Sequence, residues 1–146
     1  MVAMGFSGGA LFSTVVASQR GDTLAALVEM SGGADVEAPL VDGIVAPYET
    51  PSWQMPVYLA SGGDSDIWPD SSFVIVDFAE ATDTLQDHLV EDEHFVMRCK
   101  HDYGHTVTTQ EFMIAEEWAI NHRYGEPSPY ETDGIGDWSS WCEVAE

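Results

Sequence analysis

Apolar and polar positions come in blocks along this chain, and the blocks have the lengths of strands and helices. Met1 to Phe6 is a short apolar run suited to a strand, and it ends in Gly5-Phe6-Ser7-Gly8-Gly9. Ala10 to Gln19 is rich in Ala, Leu and Val, free of Gly and Pro, and helical in length. Gly21 and Asp22 break it, and Leu24 to Met30 is a second apolar run of strand length, closing on Ser31-Gly32-Gly33. Residues 34–55, where Pro39, Pro47, Pro51 and Gly43 stand among acids such as Glu37 and Asp42, read as a loop or short excursion. Pro56 to Ala60 is a third strand, followed by Gly62-Gly63. Asp77 and Glu80 resemble a capping box with Asp in place of Ser or Thr. The helix they open runs to about Glu93 and carries Phe78, Ala81, Leu85, His88 and Leu89 on one stripe. His94 to Cys99 is a fourth strand. Thr108 and Glu111 form another capping box, opening a helix that carries Phe112, Ala115, Trp118 and Ala119 and ends near His122. Tyr124 to Glu146 is rich in Pro, Gly and Trp and reads as irregular.

Apolar strands alternating with helices predict an α/β fold, a parallel sheet covered on both faces, with right-handed crossovers. Ligand chemistry in such sheets lies beyond the carboxyl ends of the strands, and three of those ends carry chemically apt residues. Gly5-Phe6-Ser7-Gly8-Gly9 matches G-x-S-x-G between a strand and a helix. A sharp strand-to-helix turn crowds the flanking backbone, so small residues are expected two positions either side of Ser7. The turn also brings Ser7 to a helix N-terminus, which favours negative charge. The third strand ends in Ser61-Gly62-Gly63-Asp64-Ser65-Asp66, so Asp64 or Asp66 can serve as an acid. The fourth ends in Cys99-Lys100-His101-Asp102-Tyr103-Gly104-His105, so His101 or His105 can serve as a base. Serine, acid, histidine is the chain order of α/β-hydrolases. The alternative is a Gly-rich turn that only packs closely, with Asp64 and Asp66 binding turn amides and the histidines as ordinary loop groups.

On these three motifs the chain resembles the C-terminal half of an α/β-hydrolase of the polyhydroxybutyrate depolymerase and feruloyl-esterase-like branch, from Val2 to about Tyr130. The resemblance implies Ser7 as nucleophile, Asp66 as acid and His105 as base, with Asp64 and His101 as alternatives, and the Gly8 amide as an oxyanion donor. It implies a serine ester hydrolase acting on a small-molecule or polymeric ester without a cofactor. The rivals are an inactive fragment or interaction module on the same scaffold, and a serine peptidase of the same fold. It further implies a partial fold of about four parallel strands over residues 1–130, with 131–146 an irregular, acidic, Trp-rich tail. In that family four strands precede the elbow strand and a loop among them supplies the second oxyanion donor, so a missing N-terminal half is the expected partner. The first strand would then present an unpaired edge.

Composition narrows the partners. With 146 residues, 4 Lys+Arg, 26 Asp+Glu and a net charge of −22, the chain should repel phosphate backbones and anionic membranes. It is nevertheless 45% hydrophobic and 11% aromatic, too apolar for a disordered acidic tail. The acids are scattered and read as a solvated shell, compatible with a salty habitat where screening relieves self-repulsion. The run from Asp64 to Asp70 faintly resembles a calcium loop but lacks the required Gly and closing Glu, so no metal site is expected. No apolar run approaches the roughly 18 residues of a membrane span, and no signal peptide is legible at Met1 to Ala10. Cys99 and Cys142 are either a disulfide tying the tail beside the His105 turn or two free buried thiols; a bridge would imply an oxidising compartment and a secreted parent. Trp53, Trp68, Trp138 and Trp141 are expected in loops. Trp68, just past Asp66, can line an acyl or aryl pocket or simply pack under the loops, and Trp118 belongs to the core.

Overall fold

The computed structural model describes residues 1–37, 43–70 and 73–146. Four parallel strands form the centre: β1 (Val2–Phe6), β2 (Ala26–Met30), β5 (Val57–Ser61) and β8 (Val96–Lys100). They lie side by side in that order, as the alternating pattern predicts. β2 and β5 are buried along their whole length, which is why they read as unbroken apolar runs. Among the described residues β1 pairs only with β2, and it is half-buried to exposed.

Helices cover both faces. α1 (Gly8–Arg20) and α2 (Phe78–Glu91) share one face, where Ala17, Leu85 and Leu89 pack on Leu27, Val57, Leu59 and Val96. Both helices link one parallel strand to the next in the same direction across the sheet, so a common crossover hand puts them on one side. α3 (Thr109–Asn121) covers the other face, where Ile114, Ala115 and Trp118 meet Val28, Met30, Tyr58 and Met97. Its N-terminus is closed by the full capping box: Glu111 N–H donates to Thr108 Oγ1 (3.0 Å) and Thr108 N–H to Glu111 Oε2 (3.0 Å). α2 has one half of a box, with Glu80 N–H donating to the Asp77 carboxylate at 3.0 Å.

Several expectations are revised. His88 is not on the core stripe of α2; its Nε2 meets Asp35 Oδ2 at 2.8 Å and its ring stacks on Tyr48. Phe112 is exposed, and Ile114 takes the buried position on α3, because the stripe through Ala115 and Trp118 runs through Glu111 and Ile114. The excursion after β2 contains a small antiparallel pair, β3 (Val36–Glu37) and β4 (Ile44–Val45); Pro39 and Asp42 of that stretch lie outside the described residues. Trp68 is not in a loop but on β6 (Ile67–Asp70), which pairs antiparallel with β7 (Phe73–Asp77).

The last segment is not wholly irregular. It forms α4 (Pro129–Asp133), a 3₁₀ turn over Gly136–Ser140 that contains Trp138, and β9 (Cys142–Val144). β9 adds a fifth, antiparallel strand beside β8, so the sheet is not purely parallel. Cys99 and Cys142 face each other across this pair and are disulfide-bonded. Trp138 and Trp141 pack against the core under α3. A three-residue strand carries too little ladder to hold by itself, and the bridge and the two indoles supply the rest. Among the described residues no helix is long and apolar enough to cross a membrane.

Candidate active site

β1 delivers Ser7 through a turn that only a short list of sequences can make. Ser7 holds φ 57° and ψ −130°, a strained backbone for a residue with a side chain. Its N–H donates to Met30 O (3.0 Å) at the end of β2, and its carbonyl accepts from Ala10 and Leu11 as α1 begins. The crowding is one-sided. A Cβ on Gly5 would overlap the Gly9 backbone, whereas Gly8 and Gly9 have open space around theirs. The expected need for small residues on both sides of Ser7 therefore holds at Gly5 alone, because the helix leaves the strand on the side that faces Gly5. Gly8 and Gly9 open α1, where the N–H groups have no intrahelical acceptor.

Asp66 and His105 arrive on neighbouring strand ends that are sewn together. After β5, Asp66 Oδ2 accepts the Gly62 N–H at 2.7 Å, and after β8, Gly104 N–H donates to Gly62 O at 3.0 Å. His101 N–H also donates to Ser61 O at 3.0 Å. Ser7 Oγ lies 2.9 Å from His105 Nε2, and His105 Nδ1 lies 2.8 Å from Asp66 Oδ1. Asp66 is fully buried, and the His105 side chain is 16% exposed. With Oδ1 as a carboxylate acceptor, Nδ1 carries the proton and Nε2 is free to accept from the Ser7 hydroxyl.

The other candidates lie elsewhere. The Asp64 side chain is 98% exposed and approaches Lys100 Nζ at 3.3 Å. His101 is buried, with Nε2 at 3.1 Å from Glu111 Oε2 and Nδ1 accepting from the Tyr103 N–H. The capping carboxylate of α3 thus also fastens the loop that carries His105. Trp68 is 48% exposed on β6, opposite Val76.

Four residues have surroundings at the site that no motif signals. Glu29 is fully buried on β2, and burial pushes its carboxyl well above the usual range. Glu111 is raised in the same sense, burial prevailing over its Thr108 and His101 partners. Arg98 donates from Nη2 to Ser61 Oγ and to Asp83 Oδ1, both at 2.8 Å, and sets a buried positive charge near Asp66. Desolvation pulls its guanidinium below the usual value, against Asp83. The signal for Glu29 and Arg98 is a single charge inside an apolar strand run. Phe78 has a weaker one, an aromatic directly after a helix cap. Among the described residues no group of three or more His, Cys, Asp and Glu is arranged to hold a metal ion.

Gly62 is where the acid and base turns meet, and a Cβ there would overlap the Gly104 carbonyl. That neighbour is backbone and cannot swing away. Gly62→Ala is expected to lower stability by about 2–3 kcal/mol through overpacking. A urea midpoint equal to that of the parent would refute this.

No protein-family model matches the sequence, and no curated protein matches it significantly. Solved structures do share its fold. The crystal structure of native pOPH superposes with a TM-score of 0.68 at 17% identity, over 99% of this chain and 52% of that one. Native sOPH gives 0.71 at 15%, over 99% and 52%. A serine-to-alanine variant of pOPH in complex with pNPB gives 0.71 at 19%, over 99% and 53%. This chain spans about half the length of the structures it matches, and it has their α/β fold, a mostly parallel sheet flanked by helices.

Proposed function

We propose that this chain carries the nucleophile, acid and base of a serine hydrolase acting on ester bonds. The observation that supports this best is the continuous relay from Ser7 Oγ through His105 to Asp66, with distances of 2.9 and 2.8 Å. Ser7 gives its proton to His105 Nε2 as Oγ bonds to the ester carbonyl carbon. Asp66 holds the tautomer and balances the imidazolium. The Gly8 N–H donates to the oxyanion at the start of α1. His105 then protonates the departing alcohol, and water attacks the acyl-serine by the same steps in reverse order.

The proposed substrate is a small-molecule or polymeric ester, with Trp68 offering an exposed indole on the hairpin that grows from Asp66. The second oxyanion donor belongs to further polypeptide that extends the sheet at β1, where Met4 and Phe6 are exposed and only one side is paired. The disulfide suits an oxidising compartment.

The test is a fluorophosphonate probe, which phosphonylates an activated serine by losing fluoride. The parent chain is expected to be labelled at Ser7, and Ser7→Ala to take up none. An unlabelled parent, or equal labelling of Ser7→Ala, would sink the proposal.

A further inference from the structure

The base of the relay has two aromatic neighbours that the reaction scheme does not use. The Phe6 ring stacks on the His105 imidazole with centroids 4.9 Å apart and planes 25° apart. The Phe78 ring stacks on it at 4.4 Å and 14°. They come from different elements. Phe6 is the residue before Ser7, at the end of β1, and is 36% exposed. Phe78 opens α2 and is 3% exposed.

The chain places Phe78 here by a specific device. Asp66 begins the β6–β7 hairpin and Phe78 follows its end, and the Phe78 N–H donates to Asp66 O at 2.8 Å across the hairpin's base. The same closure that positions the acid therefore brings a phenyl ring to the histidine the acid holds. Asp77, between hairpin and helix, is occupied in capping α2.

We propose that Phe6 and Phe78 are positioning residues that clamp the His105 ring and favour its protonated form during acyl transfer. A phenyl face carries negative quadrupole density and attracts a cation within about 6 Å of its centroid, and both distances lie inside that limit. In the proposed reaction His105 becomes an imidazolium as Ser7 gives up its proton, so this attraction grows toward the transition state. The charged groups around the ring are few. Asp66 Oδ1 lies on Nδ1, and Ser7 Oγ on Nε2. Beyond Asp66 lie Arg98 and Glu111, both close enough to feel its charge.

The clamp rests on the reading of Ser7 and His105 as nucleophile and base, so its test includes a measurement independent of turnover. Replacing Phe6 or Phe78 by pentafluorophenylalanine keeps the ring's shape and inverts its quadrupole. In the Ser7→Ala chain, the pH at which the His105 ring gains its second proton is read from its ¹⁵N shifts. Each fluorinated ring is expected to lower that pH by about half a unit. In chains that retain Ser7, labelling by the fluorophosphonate should slow about 3-fold per ring. Should the buried position reject the fluorinated ring, Phe6 and Phe6→Leu at the exposed position carry the test. A His105 titration that does not move in a chain with the parent urea midpoint overturns the clamp. A titration that moves in a chain no probe labels preserves the clamp and removes the proposed function.

Discussion

Asp66→Asn is expected to slow acylation of Ser7 by about 10⁴-fold while leaving the fold intact. The size follows from what Asp66 is asked to do with its two oxygens. Oδ2 accepts the Gly62 N–H at 2.7 Å, and Oδ1 accepts from His105 Nδ1 at 2.8 Å. An asparagine has one oxygen. The Gly62 amide is backbone and can only donate, so it claims that oxygen, and the side-chain NH₂ must face His105. Nδ1 then becomes an acceptor and the ring proton moves to Nε2, the atom that takes the Ser7 proton in the proposed reaction. The relay is blocked by the wrong tautomer, without any missing residue. Two measurements are needed: the rate of fluorophosphonate labelling and the urea midpoint. A rate within 10-fold of the parent at an unchanged midpoint would show that Asp66 does not set the tautomer of His105.

Removing the disulfide with the paired substitutions Cys99→Ala and Cys142→Ala is expected to cost about 4 kcal/mol of folding stability. The bridge closes a loop with a sequence separation of 43, and the loss of chain entropy in the unfolded state sets that figure. The native state has little to replace it. β9 holds three residues, and the neighbouring ladder bonds include Lys100 N–H to Trp141 O at 3.1 Å and Ala145 N–H to Val96 O at 3.0 Å. Trp138 and Trp141 should become more exposed with the strand, giving a fluorescence signal that precedes the main transition. Urea denaturation with and without reductant gives the same comparison in the unmodified chain. A midpoint insensitive to reductant would show that packing of the two indoles alone retains the last segment.

Much of the central architecture is legible in local pattern. Buried parallel strands must be apolar on both faces, so Leu24 to Met30 and Pro56 to Ala60 announce themselves. Caps are equally local: Thr108 and Glu111 satisfy each other within a single turn. The elbow is legible for the same reason, since a strand-to-helix turn at Ser7 is a property of consecutive residues. The errors lie where a contact joins distant segments. His88 has the right spacing for the core stripe, but Asp35 offers it a carboxylate and Tyr48 a ring, so it stays at the edge. Cys142 sits in a stretch with no strand pattern, and that stretch becomes a strand because it pairs along the edge of β8 and is bonded to Cys99 there.

The sequence by itself determined the order of the four parallel strands and the three long helices, the turn at Ser7, and the presence of an acid and a histidine past the next strand ends. It left Asp64 beside Asp66 and His101 beside His105, because residues two or four apart on a loop look alike until the loop is bent. The tertiary structure alone separates them. Gly62 and Gly104 bind the two loops back to back, which turns Asp66 and His105 toward Ser7 and sends Asp64 to solvent and His101 to Glu111. A second closure, the Phe78 N–H on Asp66 O at the base of the β6–β7 hairpin, brings Phe78 onto His105 across 27 residues of sequence. Short-range periodicity records which face of an element is buried; which side chains then meet is decided by hydrogen bonds between backbones far apart in the chain.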